Sequence, residues 1–142
     1  MPKLACTMTL AALALVSALP LAAESAIPDL RGTWKGESES IVLGGGNPHH
    51  TGTPPSEPHL RSVAFTLTVD KQDGRRFSGT FSSPRSNEKI VAVVSRNGTI
   101  FLVDDEGYTV GTILGPTRME LCYMHVSSSS RIASCTELVK QP

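Results

Sequence analysis

This 142-residue chain has little of what an enzyme, a nucleic-acid binder or a membrane protein needs. It carries one Trp, two Tyr and four Phe, so an aromatic-rich core is excluded and each ring counts. The 13 Lys and Arg balance 13 Asp and Glu; without a basic excess, a nucleic-acid partner is not expected. The longest apolar run, Leu10 to Leu19, is too short to cross a bilayer. Neither an amphipathic helix nor a polybasic tract points to a membrane surface. Gly-x-Ser-x-Gly, His-Glu-x-x-His and a phosphate-cradling glycine loop are all missing, and Gly44-Gly45-Gly46 leads into a proline-rich stretch and not a helix. The expectation is a protein with no catalytic residues, no cofactor and no metal.

Cysteine is scarce too, and where it lies is informative. Met1 to Ala23 reads as a secretory leader: Lys3 is the positive start, Leu10 to Leu19 the apolar region, and Leu21-Ala22-Ala23 the small-residue cleavage site. Cys6 precedes the apolar region, which argues against a lipid anchor. Cleavage removes Lys3, so 13 acids face 12 bases over residues 24–142, read as one domain. The expected compartment is secreted or periplasmic. Cys122 and Cys135 remain, where disulfides persist. If Ser127 to Ser130 is a hairpin loop, Val126 faces Arg131, and counting outward sets Cys122 opposite Cys135 as a cross-strand bridge.

Turn chemistry is abundant. Asp73-Gly74, Asn97-Gly98, Asp105-Glu106-Gly107, Gly115-Pro116 and Ser127 to Ser130 separate runs rich in Val, Ile, Thr, Phe and Tyr. Eight strands follow: Gly32 to Leu43, Ser62 to Lys71, Arg76 to Ser82, Lys89 to Ser95, Thr99 to Asp104, Tyr108 to Leu114, Arg118 to Val126 and Arg131 to Lys140. Eight short-looped strands can close and so remove their exposed edges. The predicted fold is an all-β, antiparallel up-and-down barrel, with a two-sheet sandwich as the alternative. Gly44 to His59, with its glycines, prolines and three histidines, is a long loop at one mouth.

Gly32-Thr33-Trp34 ahead of an eight-strand meander resembles the calycin superfamily of lipocalins and avidin-like barrels. Phe77-Ser78-Gly79-Thr80-Phe81 is similar to the third strand of the avidin-like branch. The resemblance implies that Trp34 plugs the closed end beneath a late-strand cation, Lys140 or Arg118. A single Trp gives no support for biotin.

Alternation in the last hairpin puts Met119, Leu121, Tyr123 and His125 on one face with Ile132, Ser134, Thr136 and Leu138. Glu120 and Glu137 share the other face with the cysteines, so the first face is the interior. Ser38, Ser40, Tyr123, His125, Ser134 and Thr136 then give an apolar interior a few hydrogen-bonding groups, as a small-molecule pocket requires. The alternative is that these groups satisfy one another in a filled barrel. His49, His50 and His59 belong to the mouth loop, where solvated side chains are expected, and their protonation would loosen that loop as pH falls. Asp104, Asp105 and Glu106 read as a solvated turn, and Asn97-Gly98-Thr99 as a hairpin turn that also fits a glycosylation acceptor. Two functions remain: an exported, non-enzymatic barrel that binds a small, partly apolar molecule at an open mouth, or a filled barrel acting on another exported protein as an inhibitor or adaptor.

Overall fold

The structure, a computed structural model, describes residues 27–142. The leader at Met1 to Ala23, with Cys6, lies outside the described residues. Eight strands follow in order: β1 (Gly32–Gly44), β2 (His59–Asp73), β3 (Arg76–Ser82), β4 (Asn87–Val94), β5 (Thr99–Val103), β6 (Tyr108–Gly115), β7 (Arg118–Val126) and β8 (Ser130–Lys140). Each pairs antiparallel with the next, and β8 returns to β1, closing a barrel. The unbroken ladder rules out the sandwich.

The alternating pattern is what makes the barrel two-faced. In β8, Ile132, Ser134, Thr136 and Leu138 are buried while Arg131, Ala133, Cys135 and Glu137 are exposed. In β2, Phe65, Leu67 and Val69 point inward. That strand starts at His59, three residues before the predicted Ser62, because the far half of β1 keeps pairing: Ile41 faces Leu60 and Val42 faces His59. Gly79 of β3 marks a close approach. A Cβ there would lie 1.9 Å from the Thr68 carbonyl oxygen, beside the bulge between Val69 and Lys71.

One end is shut by Trp34, which is fully buried. Its indole Nε1 donates to the Leu30 carbonyl at 2.8 Å. Gln72 ties the same segment down, accepting from Leu30 N at 2.6 Å and donating to the Pro28 carbonyl at 3.0 Å. Lys140 Nζ lies 5.4 Å from the centre of the Trp34 ring and donates to the Asp29 carbonyl at 2.6 Å. Of the two cations the resemblance offered, Lys140 has the role and Arg118 does not. Arg118 starts β7 on the outer face, opposite Val139, and pairs with Glu137 at 2.7 Å. Glu120 faces Glu137 across the same two strands, and the Arg118 contact offsets that like-charge pairing.

Cys122 and Cys135 are bonded across β7 and β8, with Cα atoms 4.1 Å apart. The bridge is on the outside, away from the core. By the chain-entropy argument, a loop of this size restricts the unfolded chain enough to contribute about 3 kcal/mol.

Candidate functional site

The other end of the barrel is covered by residues 45–58, and their local chemistry aims two histidines inward. Gly45 N donates to the Ser129 carbonyl at 2.9 Å, and Thr53 N to the Gly44 carbonyl at 2.6 Å. Gly46 has φ +73°, and a Cβ there would sit 2.4 Å from the His50 carbonyl oxygen. Asn47, before Pro48, builds the turn: its Oδ1 accepts from the backbone of His49 at 3.0 Å and of His50 at 2.7 Å. Its Nδ2 donates to Tyr123 Oη at 3.1 Å, fastening the turn to β7. His49 and His50 are thereby driven into the barrel, 5% and 2% exposed.

Inside, both imidazoles meet rings and hydroxyls. His49 is edge-on to Phe65 with centroids 5.4 Å apart, and Phe65 stacks on Phe81 at 4.7 Å. The His50 ring is within 5° of parallel to Tyr123, 6.5 Å away. Its Nε2 lies 3.0 Å from Ser40 Oγ. Ser40 donates to Ser134 Oγ at 2.8 Å and is 3.0 Å from Ser38 Oγ. With these contacts made, the cavity left among Leu102, Thr109, Leu121, Tyr123 and Thr136 is about 20 Å³, as space open to a water molecule's centre. That is room for about one water.

Burial sets the electrostatics. It pulls the His50 pKa down to about 4, helped by His49, Arg85 and His125 nearby. It pushes the Tyr123 hydroxyl up. Glu88 of β4 is also buried, which raises its carboxyl pKa; His49 works against that rise, and Asp104 and Glu106 add to it. His49 Nε2 and Glu88 Oε2 are 3.2 Å apart, with side chains 6% and 7% exposed. The two atoms face each other within ion-pair distance, and neither makes a hydrogen bond that meets ordinary geometry among the described residues.

His49 Nδ1 is 2.8 Å from Ser83 Oγ, which completes a hydroxyl, imidazole, carboxyl row. Ser83 Oγ also accepts from Arg85 N at 3.2 Å and from Ser86 N at 3.3 Å. Those amides occupy the lone pairs that a nucleophile would use, so the hydroxyl serves the turn.

Of the residues expected to line a pocket, Ser38, Ser40, Tyr123, Ser134 and Thr136 do come together in the interior, Ser38, Ser40 and Ser134 in one hydrogen-bonded cluster with His50. His125 does not line it. At the rim β7 loses strict alternation, Cys122 to His125 are all half-buried, and His125 Nδ1 turns to the Glu106 carbonyl at 2.8 Å. Its ring stacks on Tyr123, with centroids 6.4 Å apart. His59 stays outside the cleft, at the head of β2, with Nδ1 2.7 Å from the Glu57 carbonyl. His49 and His50 are the reverse case: expected in solvent, they are buried because Asn47 folds the loop inward. The mouth is accordingly closed and not open. Glu88, Asn47, Phe65, Phe81 and Asp104 were not anticipated as site residues.

No protein-family model and no curated protein sequence matches this chain. Among solved structures it is similar to the S-type phycobiliprotein lyase CPES from Guillardia theta. The TM-score is 0.37 at 11% identity, over 80% of this chain and 89% of that one. Likeness at that level transfers neither activity nor ligand. The closed barrel itself, with an N-terminal Trp under a late-strand Lys, is the arrangement that the calycin resemblance implies.

Proposed function

We propose that this protein is a binding barrel for a small, partly apolar molecule, acting without catalysis, and that residues 45–58 are its lid. One observation carries the reading: the interior is filled at the mouth by His49 and His50 from a loop, not by side chains of the wall. Lifting the loop exposes a cup whose wall offers Phe65, Phe81, Leu102 and Leu121 with the hydroxyls of Tyr123, Ser134 and Thr136. Such a mixture of apolar surface and a few convergent polar groups suits a small molecule. The Cys122–Cys135 bridge supports work in an oxidising compartment, secreted or periplasmic.

The test is fluorescence titration with the neutral apolar probe N-phenyl-1-naphthylamine. The double variant His49→Ala/His50→Ala is expected to bind it at least about tenfold more tightly than the parent, since the variant no longer has to displace its own plug. Equal affinity would contradict the lid.

A second reading rests on the outer face of β4 to β6. Val91 faces Val103, and Val103 faces Tyr108; Val93 faces Phe101. Each of these five is 42% exposed or more. An uninterrupted apolar face supports contact with another protein, and then the barrel serves as a scaffold for that surface.

A further inference from the structure

The contact between lid and wall says what class of molecule replaces the lid. Glu88 lies in the inward row of β4 with Ile90 and Val94, its side chain 7% exposed and its Oε2 without a hydrogen bond among the described residues. The group it faces is His49 Nε2, 3.2 Å away. Asp104 lines the cleft that His49 fills, and together with Glu106 it adds negative charge around Glu88. Phe81 is the cross-strand partner of Glu88, Phe65 stacks on Phe81, and both line that cleft with Tyr123.

When the lid lifts, His49 leaves and the Glu88 carboxyl is stranded beside two further acids. A neutral ligand leaves that carboxyl unsatisfied, at a cost to binding. A cationic ligand gives that carboxyl the positive partner it lacks once His49 is gone, and the aromatic faces that now hold imidazoles attract a positive group as well. Resting on the binding reading above, we infer that the ligand class is a small aromatic cation: its ring sits against Phe65, Phe81 and Tyr123, and its positive group takes the place of His49 on Glu88. The lid is then an internal mimic of the ligand, a flat ring carrying a nitrogen toward the carboxyl.

Calorimetric titration of the full chain at pH 8 with benzylamine and with benzyl alcohol tests this, because the two match in shape and differ in charge. In the His49→Ala/His50→Ala background benzylamine is expected to bind at least tenfold more tightly. Adding Glu88→Gln brings benzylamine down to the level of benzyl alcohol and leaves benzyl alcohol as it was. Asp104→Asn, on the half-buried rim, reduces the preference a fewfold without altering the interior. This keeps the test decisive if the Glu88 variant does not fold. Equal affinities for the two compounds, or a preference that survives both substitutions, overturn the inference and leave the carrier reading standing. So does silence from both compounds while the naphthylamine probe still binds. Silence from all three overturns the inference and the carrier reading together.

Discussion

Trp34→Ala is expected to destabilise the barrel by about 4 kcal/mol, within the range for removing a large aromatic from a packed core. Three contributions converge on that residue. The side chain is wholly buried among Leu30, Leu67 and Leu138, so deletion opens a cavity at the closed end. The Leu30 carbonyl loses the indole donor now 2.8 Å away, and Lys140 loses the ring beneath it at 5.4 Å. Trp34→Phe keeps an aromatic body but removes the donor, and about 1 kcal/mol is expected for that bond. Urea denaturation followed by far-ultraviolet circular dichroism separates the two variants: the midpoints should shift in that order with little change in slope. A Trp34→Ala protein within 1 kcal/mol of the parent would mean that this end is not shut as described.

The second large effect is expected from acid. His50, itself part of the lid, is held neutral while the lid is closed, with its pKa lowered to about 4 by burial and by His49, Arg85 and His125; with the lid open, the ring regains an ordinary value near 6.5. Between those values the open form binds more protons than the closed one. The His50 contribution to closure is therefore fully present above about pH 6.5, weakens as pH falls, and levels off below about pH 4. From pH 7.5 to 5 the opening equilibrium should rise on the order of 30-fold from this group alone. Glu88 acts in the opposite sense, because its raised carboxyl pKa favours the closed form on the acid side. The same naphthylamine probe reads both: its fluorescence should climb on acidification in the parent and in Glu88→Gln, more steeply in the latter, and fall in His50→Asn, where Glu88 acts without its opponent. Matching profiles in the parent and His50→Asn would remove His50 as the sensor.

The fold was legible because it depends on local signals. Asn97-Gly98 and Ser127 to Ser130 set hairpin registers, and a count outward from Val126 and Arg131 was enough to pair Cys122 with Cys135. The position of Trp34 near the end of β8 followed from antiparallel order, although choosing Lys140 over Arg118 needed to know which face each occupies. The site was legible only on its strand side. Ser38, Ser40, Ser134 and Thr136 obey alternation, so their inward direction could be read. His125 broke the rule where β7 reaches the rim. Glu88 had a usable signal, being in phase with Ile90 and Val94, but starting that strand at Lys89 left it in the preceding loop. For His49 and His50 the sequence offered only Asn47-Pro48 as a turn initiator. Their burial depends on Asn47 reaching Tyr123, which is 76 positions away, and no local pattern encodes such a contact.

The account rests on the lid being an exchangeable occupant of the interior, and a crystal structure of the protein soaked with N-phenyl-1-naphthylamine tests it most directly. The predicted result is the probe's ring between Phe65, Phe81 and Tyr123, with His49 and His50 lifted out. A probe found on the outer face at Phe101 and Tyr108, above an interior still filled by both histidines, would contradict it and turn attention to that surface.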